Sequence, residues 1–237
     1  YSPAAGSGLS SHELNQPGAY KQISDTSVIA QFKCVEDDTS AKFNSLYPFY
    51  FLAWTTTPWT LPSNTALTVG AKIEYSFIKT FNQYTKEKTT VVVASSLIEK
   101  VFAKNFFIVK HEDELETFQE SDSKIPYCVI TSCKGIDIEN LRYERVWDES
   151  PLPIDNPENA FRVILGDFVT TEDGTGIVHT APTFGADDYK AAKSATPEVP
   201  PLQVLDSNGN KVPLVDLKGK FIDGIGMISG KYVKNEY

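Results

Sequence analysis

The sequence predicts a mixed, β-rich α/β fold, barrel-like with peripheral helices, and three observations point there. Short runs of β-branched and aromatic residues recur from residue 27 to residue 181, each about the length of a strand. Gly, Pro, Asn and Asp separate these runs, as turns require. Helical patterns are few, so helices are expected to decorate the core rather than build it. At 237 residues the chain can bury a substantial core, and a single domain over residues 1–237 is the expectation.

Residues 1–20, rich in Ser, Gly, Pro and Ala, read as an extended connector to a longer protein. Residues 27–32 form the first expected strand and residues 36–40 a charged turn. The aromatic run 47–53 is short and apolar, which fits a buried strand. Pro58 restricts Thr57 and removes a backbone donor, so that strand should end near the threonines. Residues 66–69 and 73–78 read as strands split by Gly70, and residues 82–88 turn into a strand at 89–94. A helix is expected over 95–104, with Leu97, Val101 and Phe102 on one face and Ser95 or Ser96 as cap. The acidic stretch 111–124 reads as a solvated helix or loop. Residues 127–131, 142–147, 161–165 and 176–181 add strands, the last two flanking a hairpin turn at Asp173-Gly174-Thr175-Gly176. Residues 185–192 suggest a short helix. Asn208-Gly209 favours a tight type I′ hairpin in the tail.

Composition narrows the function classes. The chain has 22 basic against 31 acidic residues, a net charge of −9, which argues against autonomous nucleic-acid binding. A tRNA partner would need other protein to supply most phosphate contacts. Cys34, Cys128 and Cys133 form an odd set without paired Cys-x-x-Cys spacing, which suits a reducing compartment rather than a disulfide framework or a zinc site. His12, His111 and His179 are too dispersed for a metal motif, and no metal is expected. The longest apolar stretch falls far short of a membrane span, so no membrane partner is expected. The chain opens without methionine or a recognisable leader, which reads as a piece of a longer protein.

Two segments carry candidate chemistry. In Trp54-Thr55-Thr56-Thr57-Pro58-Trp59-Thr60-Leu61-Pro62-Ser63-Asn64, hydroxyls crowd the end of a buried strand, where they can hold a ribose or orient a water. In Gly176-Ile177-Val178-His179-Thr180-Ala181-Pro182, alternation puts Ile177, His179 and Ala181 on one face, and the next helix opens with Asp187 and Asp188. Taken singly, Asp188 reads as a helix-start carboxylate and His179 as a hydrogen-bonded core histidine. As a pair, a strand end and the following helix start can face one pocket.

Together these segments resemble the editing domains of class Ia aminoacyl-tRNA synthetases, the connective peptide 1 of the isoleucine-type enzymes above all. The valine and leucine types share the outline, but their first motif typically reads Thr-Thr-Arg-Pro, and Thr57 stands here at the Arg position. The resemblance runs from Tyr1-Ser2-Pro3-Ala4 to Gly219-Lys220-Phe221. It implies a barrel-like editing domain inserted in a catalytic core that this chain lacks: with one methionine no Lys-Met-Ser-Lys-Ser signature is possible, and the histidines exclude His-Ile-Gly-His.

The resemblance also implies roles. Asp188 would bind the α-ammonium of the misattached amino acid, His179 would bound its side-chain pocket, and Trp59 would be an aromatic wall. Thr55, Thr56, Thr57 and Asn64 would line the pocket and hold adenosine and water, with Asp188, Thr56, Thr57 and Asn64 as the catalytic set. The implied reaction is hydrolysis of valyl-tRNA(Ile), with valyl-adenylate as a second substrate, in the cytoplasm. The implied partners are the 3′ end of the mischarged tRNA, the valine moiety and the rest of the parent synthetase. Editing would need no cofactor, while the parent would use ATP and magnesium. No Ser-His-Asp set or activated cysteine is readable, which favours a positioned water over covalent catalysis. The alternatives are a valine- or leucine-type editing domain and a non-catalytic barrel that binds RNA 3′ ends.

Overall fold

A computed structural model describes residues 10–19 and 26–234. Its strands are β1 (Val28–Lys33), β2 (Phe49–Thr55), β3 (Ala66–Val69), β4 (Glu74–Phe81), β5 (Lys88–Ala94), β6 (Phe106–Ile108), β7 (Ile125–Lys134), β8 (Arg162–Leu165), β9 (Ile177–Thr180), β10 (Val204–Leu205) and β11 (Lys211–Val212). The helices are α1 (Ser11–Leu14), α2 (Ile98–Val101) and α3 (Ala186–Ser194). The nine-stranded sheet runs β6-β7-β4-β5-β2-β9-β3-β8, with β1 paired to β2 off this path, and β10 and β11 form a separate pair. The mixed, β-rich expectation is met.

The ladder of strands stays open, yet it bends back on itself. Arg142 bridges Arg162 in β8, and the adjacent Tyr143 bridges Cys34 just past β1. Paired backbone bonds support both contacts, Val163 N–H to Leu141 O at 2.8 Å and Val35 N–H to Arg142 O at 2.8 Å. These links are single bridges, where residues 142–147 were expected to form a strand of their own, and the sheet stays open. Arg142 and Tyr143 each pair on one side only, and the chain leaves the sheet after them.

Central strands are buried on both faces because alternate side chains feed two cores. Phe49, Phe51 and Ala53 of β2, Tyr75 and Phe77 of β4, and Val92 and Ala94 of β5 enter the main core. Leu52, Ile78, Val91 and Val93 enter a second core with Phe102 and Tyr127. This explains why β2 reads as an unbroken apolar run rather than an alternating one. Phe43 stacks on Phe77 at 5.0 Å and Phe49 meets Phe77 edge-on at 5.1 Å, each pair adding about 0.5–1.5 kcal/mol beyond simple burial. A third cluster docks α3 on β3 and β8 through Ala191 and Ala192 against Ala66 and Ile164.

Several local expectations change. The helix expected over 95–104 shortens to a 3₁₀ turn, Ser95–Leu97, and α2. Ser95 makes no cap; its hydroxyl bonds Ser76 at 2.8 Å. Strands β8 and β9 do not form a hairpin, because β3 lies between them, parallel to β8 and antiparallel to β9. The tail hairpin forms, but Gly209 has positive φ and Asn208 does not, which excludes type I′. Instead the Asp206 carboxylate accepts the Asn208 and Asn210 N–H groups at 2.8 Å. The acidic stretch is a solvated 3₁₀ turn, Glu112–Thr117, paired to Lys79 and Lys88. Of the expected connector, residues 10–19 carry the one helical turn α1, and residues 1–9 and 20 lie outside the described residues. Among the described residues no helix is long and apolar enough to cross a membrane.

Candidate functional site

Strands β2 and β9 run parallel, with Trp54 opposite Val178, so their carboxyl ends emerge at the same edge of the sheet. Sheets with parallel strands place ligands at such ends. Thr55 closes β2 and Thr180 closes β9, and the two candidate segments meet there although more than a hundred residues separate them. Pro58 opens a 3₁₀ segment, Pro58–Ser63, that folds the motif back over the strand end. A third piece is pinned alongside. The Tyr75 hydroxyl donates to Gly176 O at 2.7 Å, and Ala94 N–H donates to Thr175 O at 2.9 Å.

These elements enclose a cavity of about 500 Å³, a size suited to a small ligand or the end of a larger one. Thr55, Thr56, Thr57, Trp59, His179 and Asp188 all line it. The hydroxyls differ in their commitments. Thr55 Oγ1 accepts the Thr57 N–H at 3.0 Å and lies 3.3 Å from the Thr57 hydroxyl. Thr56 is exposed into the cavity, and among the described residues its side chain has no hydrogen-bond partner. Trp59 packs edge-on against Phe184 at 5.1 Å and joins the carboxyl-terminal cluster of Leu202, Leu214 and Phe221.

Asp188 sits in the first turn of α3, yet it does not cap that helix. Its Oδ2 instead accepts the Ala181 N–H at 2.9 Å, tying the helix to the end of β9. Burial pushes its carboxyl pKa up, the Ala181 hydrogen bond opposes this, and neighbouring Asp187 adds to the rise. A half-buried carboxylate with one donor and, among the described residues, no cationic partner is suited to taking a cation. Asp187 is exposed and pairs with Lys190 at 3.2 Å, in keeping with a structural reading of that residue.

His179 is almost fully buried, and both ring nitrogens are engaged. Nε2 lies 2.9 Å from the Thr60 hydroxyl and Nδ1 lies 2.9 Å from Asn64 Nδ2. Burial lowers its pKa to about 4, so the ring is neutral at pH 7. Asn64 corrects an expectation. It does not line the cavity but stands behind His179, 4% exposed, with Nδ2 also donating to Ala66 O at 2.8 Å and Oδ1 accepting from Tyr143 OH at 2.6 Å. Asn64 follows the last residue of the 3₁₀ segment and is turned inward, away from the opening that the threonines face.

Thr60, Phe168, Glu172 and Asp173 also line the cavity, and sequence reasoning passed over them as site residues. Thr60 lay within the quoted motif and a hydroxyl count would have found it. Tyr143, buried behind Asn64, has no local signal, since 79 residues separate the pair. Among the described residues no His, Cys, Asp and Glu cluster has metal-binding geometry.

No family profile matches the chain. An isoleucine–tRNA ligase of Cytophaga hutchinsonii is 50% identical over 239 residues, covering all of this chain and 20% of that protein. One from Bacteroides fragilis is 48% identical over 254 residues, covering all of this chain and 21% of that protein. The chain thus spans about a fifth of the length of these curated relatives. Among solved structures, the P. knowlesi cytosolic leucyl-tRNA synthetase editing domain matches with a TM-score of 0.45 and 13% identity, over 69% of this chain and 59% of that one. Aligned at about half identity along its whole length, the chain belongs to the isoleucine–tRNA ligase family.

Proposed function

We propose that this chain is the editing part of such a ligase and hydrolyses valyl-tRNA(Ile), with valyl-adenylate as a second substrate. The observation that carries the reading is one shared cavity lined by the Thr55, Thr56 and Thr57 hydroxyls, a neutral His179 and the half-buried Asp188 carboxylate. An aminoacyl ester offers a cationic ammonium, a small side chain and a ribose, and the cavity has a group suited to each. Asp188 takes the ammonium, His179 bounds the side chain, and the free Thr56 hydroxyl meets the ribose or the attacking water. Aminoacyl esters are already reactive, so holding water against the carbonyl suffices without a covalent intermediate.

Size selection supplies the logic. A site built for isoleucine rejects valine weakly because one missing methylene loses little binding energy, isoleucine against valine being the standard case of that limit. A second pocket that admits valine and excludes isoleucine corrects the error. On this reading the hydrolysis needs no cofactor, ATP and magnesium serving the ligase core, and that core holds most of the tRNA. The 3′ end alone enters the cavity. The free thiols of Cys34, Cys128 and Cys133 support a reducing, cytoplasmic setting.

The test is deacylation of valyl-tRNA(Ile) and isoleucyl-tRNA(Ile) by the full-length protein and two variants. Asp188→Ala should reduce valyl-tRNA hydrolysis at least a hundredfold, because the ester is no longer held against water. His179→Ala should open the pocket, so that isoleucyl-tRNA is hydrolysed while valyl-tRNA hydrolysis partly survives. Full activity of Asp188→Ala refutes the ammonium anchor, and complete sparing of isoleucyl-tRNA by His179→Ala refutes the steric gate. Absence of valyl-tRNA hydrolysis by the unaltered protein refutes the reading as a whole.

A further inference from the structure

The groups behind His179 form a chain of hydrogen bonds whose donors and acceptors can be assigned in turn. Asn64 Nδ2 lies 2.8 Å from Ala66 O and 3.4 Å from Thr180 O. Carbonyl oxygens only accept, so the Asn64 atom facing them is the amide nitrogen, and the amide orientation follows from the network. That same nitrogen faces His179 Nδ1 at 2.9 Å, which must therefore accept. The other end of the ring agrees. The Thr60 hydroxyl has a single proton, and it is directed to Thr57 O at 2.8 Å, leaving a lone pair for a donor on His179 Nε2. Behind Asn64, the Tyr143 phenol donates to Oδ1 at 2.6 Å, and burial raises the Tyr143 pKa well above its usual value, so it remains a donor.

We propose that Asn64 and Tyr143 are positioning residues that hold His179 as an uncharged imidazole protonated on Nε2, so that no cation faces the ligand Asp188 is placed to take. Protonating Nδ1 would set two N–H donors against each other across 2.9 Å in a buried site, an arrangement that costs the full penalty of unsatisfied polar groups. The other titratable groups around the ring are Asp188, Glu172 and Asp173 in the cavity and Tyr143 behind Asn64. Burial opposes a charged imidazole, and the donor from Asn64 opposes a proton on Nδ1. The consequence for recognition rests on the editing function proposed above. An imidazolium at this wall would repel the α-ammonium, and a rotated ring would alter the width of the side-chain pocket.

The structural claim is tested by ¹⁵N NMR of the three histidine side chains of this 237-residue chain, with His179→Gln assigning the resonance. In the unaltered chain His179 should show the Nε2–H tautomer and stay neutral at pH 5.5. Asn64→Asp places an acceptor opposite Nδ1, and it should draw a proton there and raise the His179 midpoint by more than one pH unit. Tyr143→Phe leaves the Asn64 carbonyl oxygen unpaired and should shift the His179 signals towards the Nδ1–H form. An Nδ1–H tautomer in the unaltered chain overturns the proposal, as does an Asn64→Asp midpoint equal to that of the unaltered chain. The unaltered spectrum decides the tautomer even if both variants fail to fold.

A functional arm separates this claim from the editing reading. In the full-length protein at pH 6, Asn64→Asp should hydrolyse valyl-tRNA at least tenfold more slowly, with partial recovery as pH rises above the new His179 midpoint. A spectrum as expected without hydrolysis by the unaltered protein sinks the editing reading and leaves the positioning role standing. Hydrolysis as expected with the wrong tautomer does the reverse.

Discussion

At the residue scale the site is defined by which polar groups are committed and which are free. Thr55, Thr57 and Thr60 spend their hydroxyls on one another, on backbone and on His179, while among the described residues the Thr56 hydroxyl faces the cavity without a protein partner. Three adjacent threonines are equal in sequence and unequal in the fold. Thr56→Ala should therefore lower valyl-tRNA hydrolysis about tenfold or more and shift stability by less than about 0.5 kcal/mol, as for other surface substitutions. A deacylation rate measured beside a melting curve checks it. A loss of stability with an unchanged rate would make Thr56 a packing residue. Asn64 illustrates the converse, because its residue type suggested ligand contact but its burial assigns it to support.

At the element scale, the turns that present the site leave room where side chains would collide. Gly185, just before α3, has an ordinary φ of −105°, but a Cβ there would lie 2.7 Å from the Asp188 carboxyl carbon. Gly185→Ala strains no backbone and should displace the Asp188 carboxylate from the Ala181 N–H. Valyl-tRNA hydrolysis is expected to fall several-fold or more, with a stability loss of about 1 kcal/mol from the lost hydrogen bond. Gly176 opens β9 differently. Its φ is +74°, and an added Cβ would meet the Ala94 Cβ at 2.4 Å. Gly176→Ala combines left-handed strain with overpacking and should cost about 2–4 kcal/mol, measured as a fall in denaturation midpoint. Equal melting of the Gly176→Ala and unaltered chains would contradict the close approach of β9 to β5.

For the whole molecule, burying a neutral histidine inside the curled sheet links stability to pH. The His179 pKa is about 4 in the folded protein against 6.5 for the free side chain. Between these values the unfolded chain binds more protons, so folding is fully supported above pH 6.5 and loses support as pH falls towards 4. The loss amounts to about 3 kcal/mol for a shift of this size. Asp188, whose pKa is raised, acts in the opposite sense and gains support as pH falls. Chemical denaturation at pH 7 and pH 4 should show the unaltered chain losing about 3 kcal/mol more than His179→Gln, a difference from which the Asp188 contribution cancels. An identical pH dependence in the two proteins would show that His179 is not buried neutral.

The sequence by itself determined the strand-rich class, most strand positions and the two segments that make the site. Period-two apolar runs and Pro58 are local signals, and strands such as residues 66–69 and 89–94 follow from them. The pairing of strands was not legible. Nothing in residues 161–181 says that β3 inserts between β8 and β9, because inter-strand hydrogen bonds join residues far apart in the chain and leave no periodicity. The fate of Asn64 was equally hidden, since whether an amide meets ligand or supports a histidine depends on Tyr143, which arrives 79 residues later. The single bridges at Arg142 and Tyr143 that curl the sheet were likewise invisible, because a one-residue pairing has no pattern to repeat. Residue chemistry and local backbone preference are written along the chain, whereas burial, register and hydrogen-bond direction exist only once distant segments are packed together.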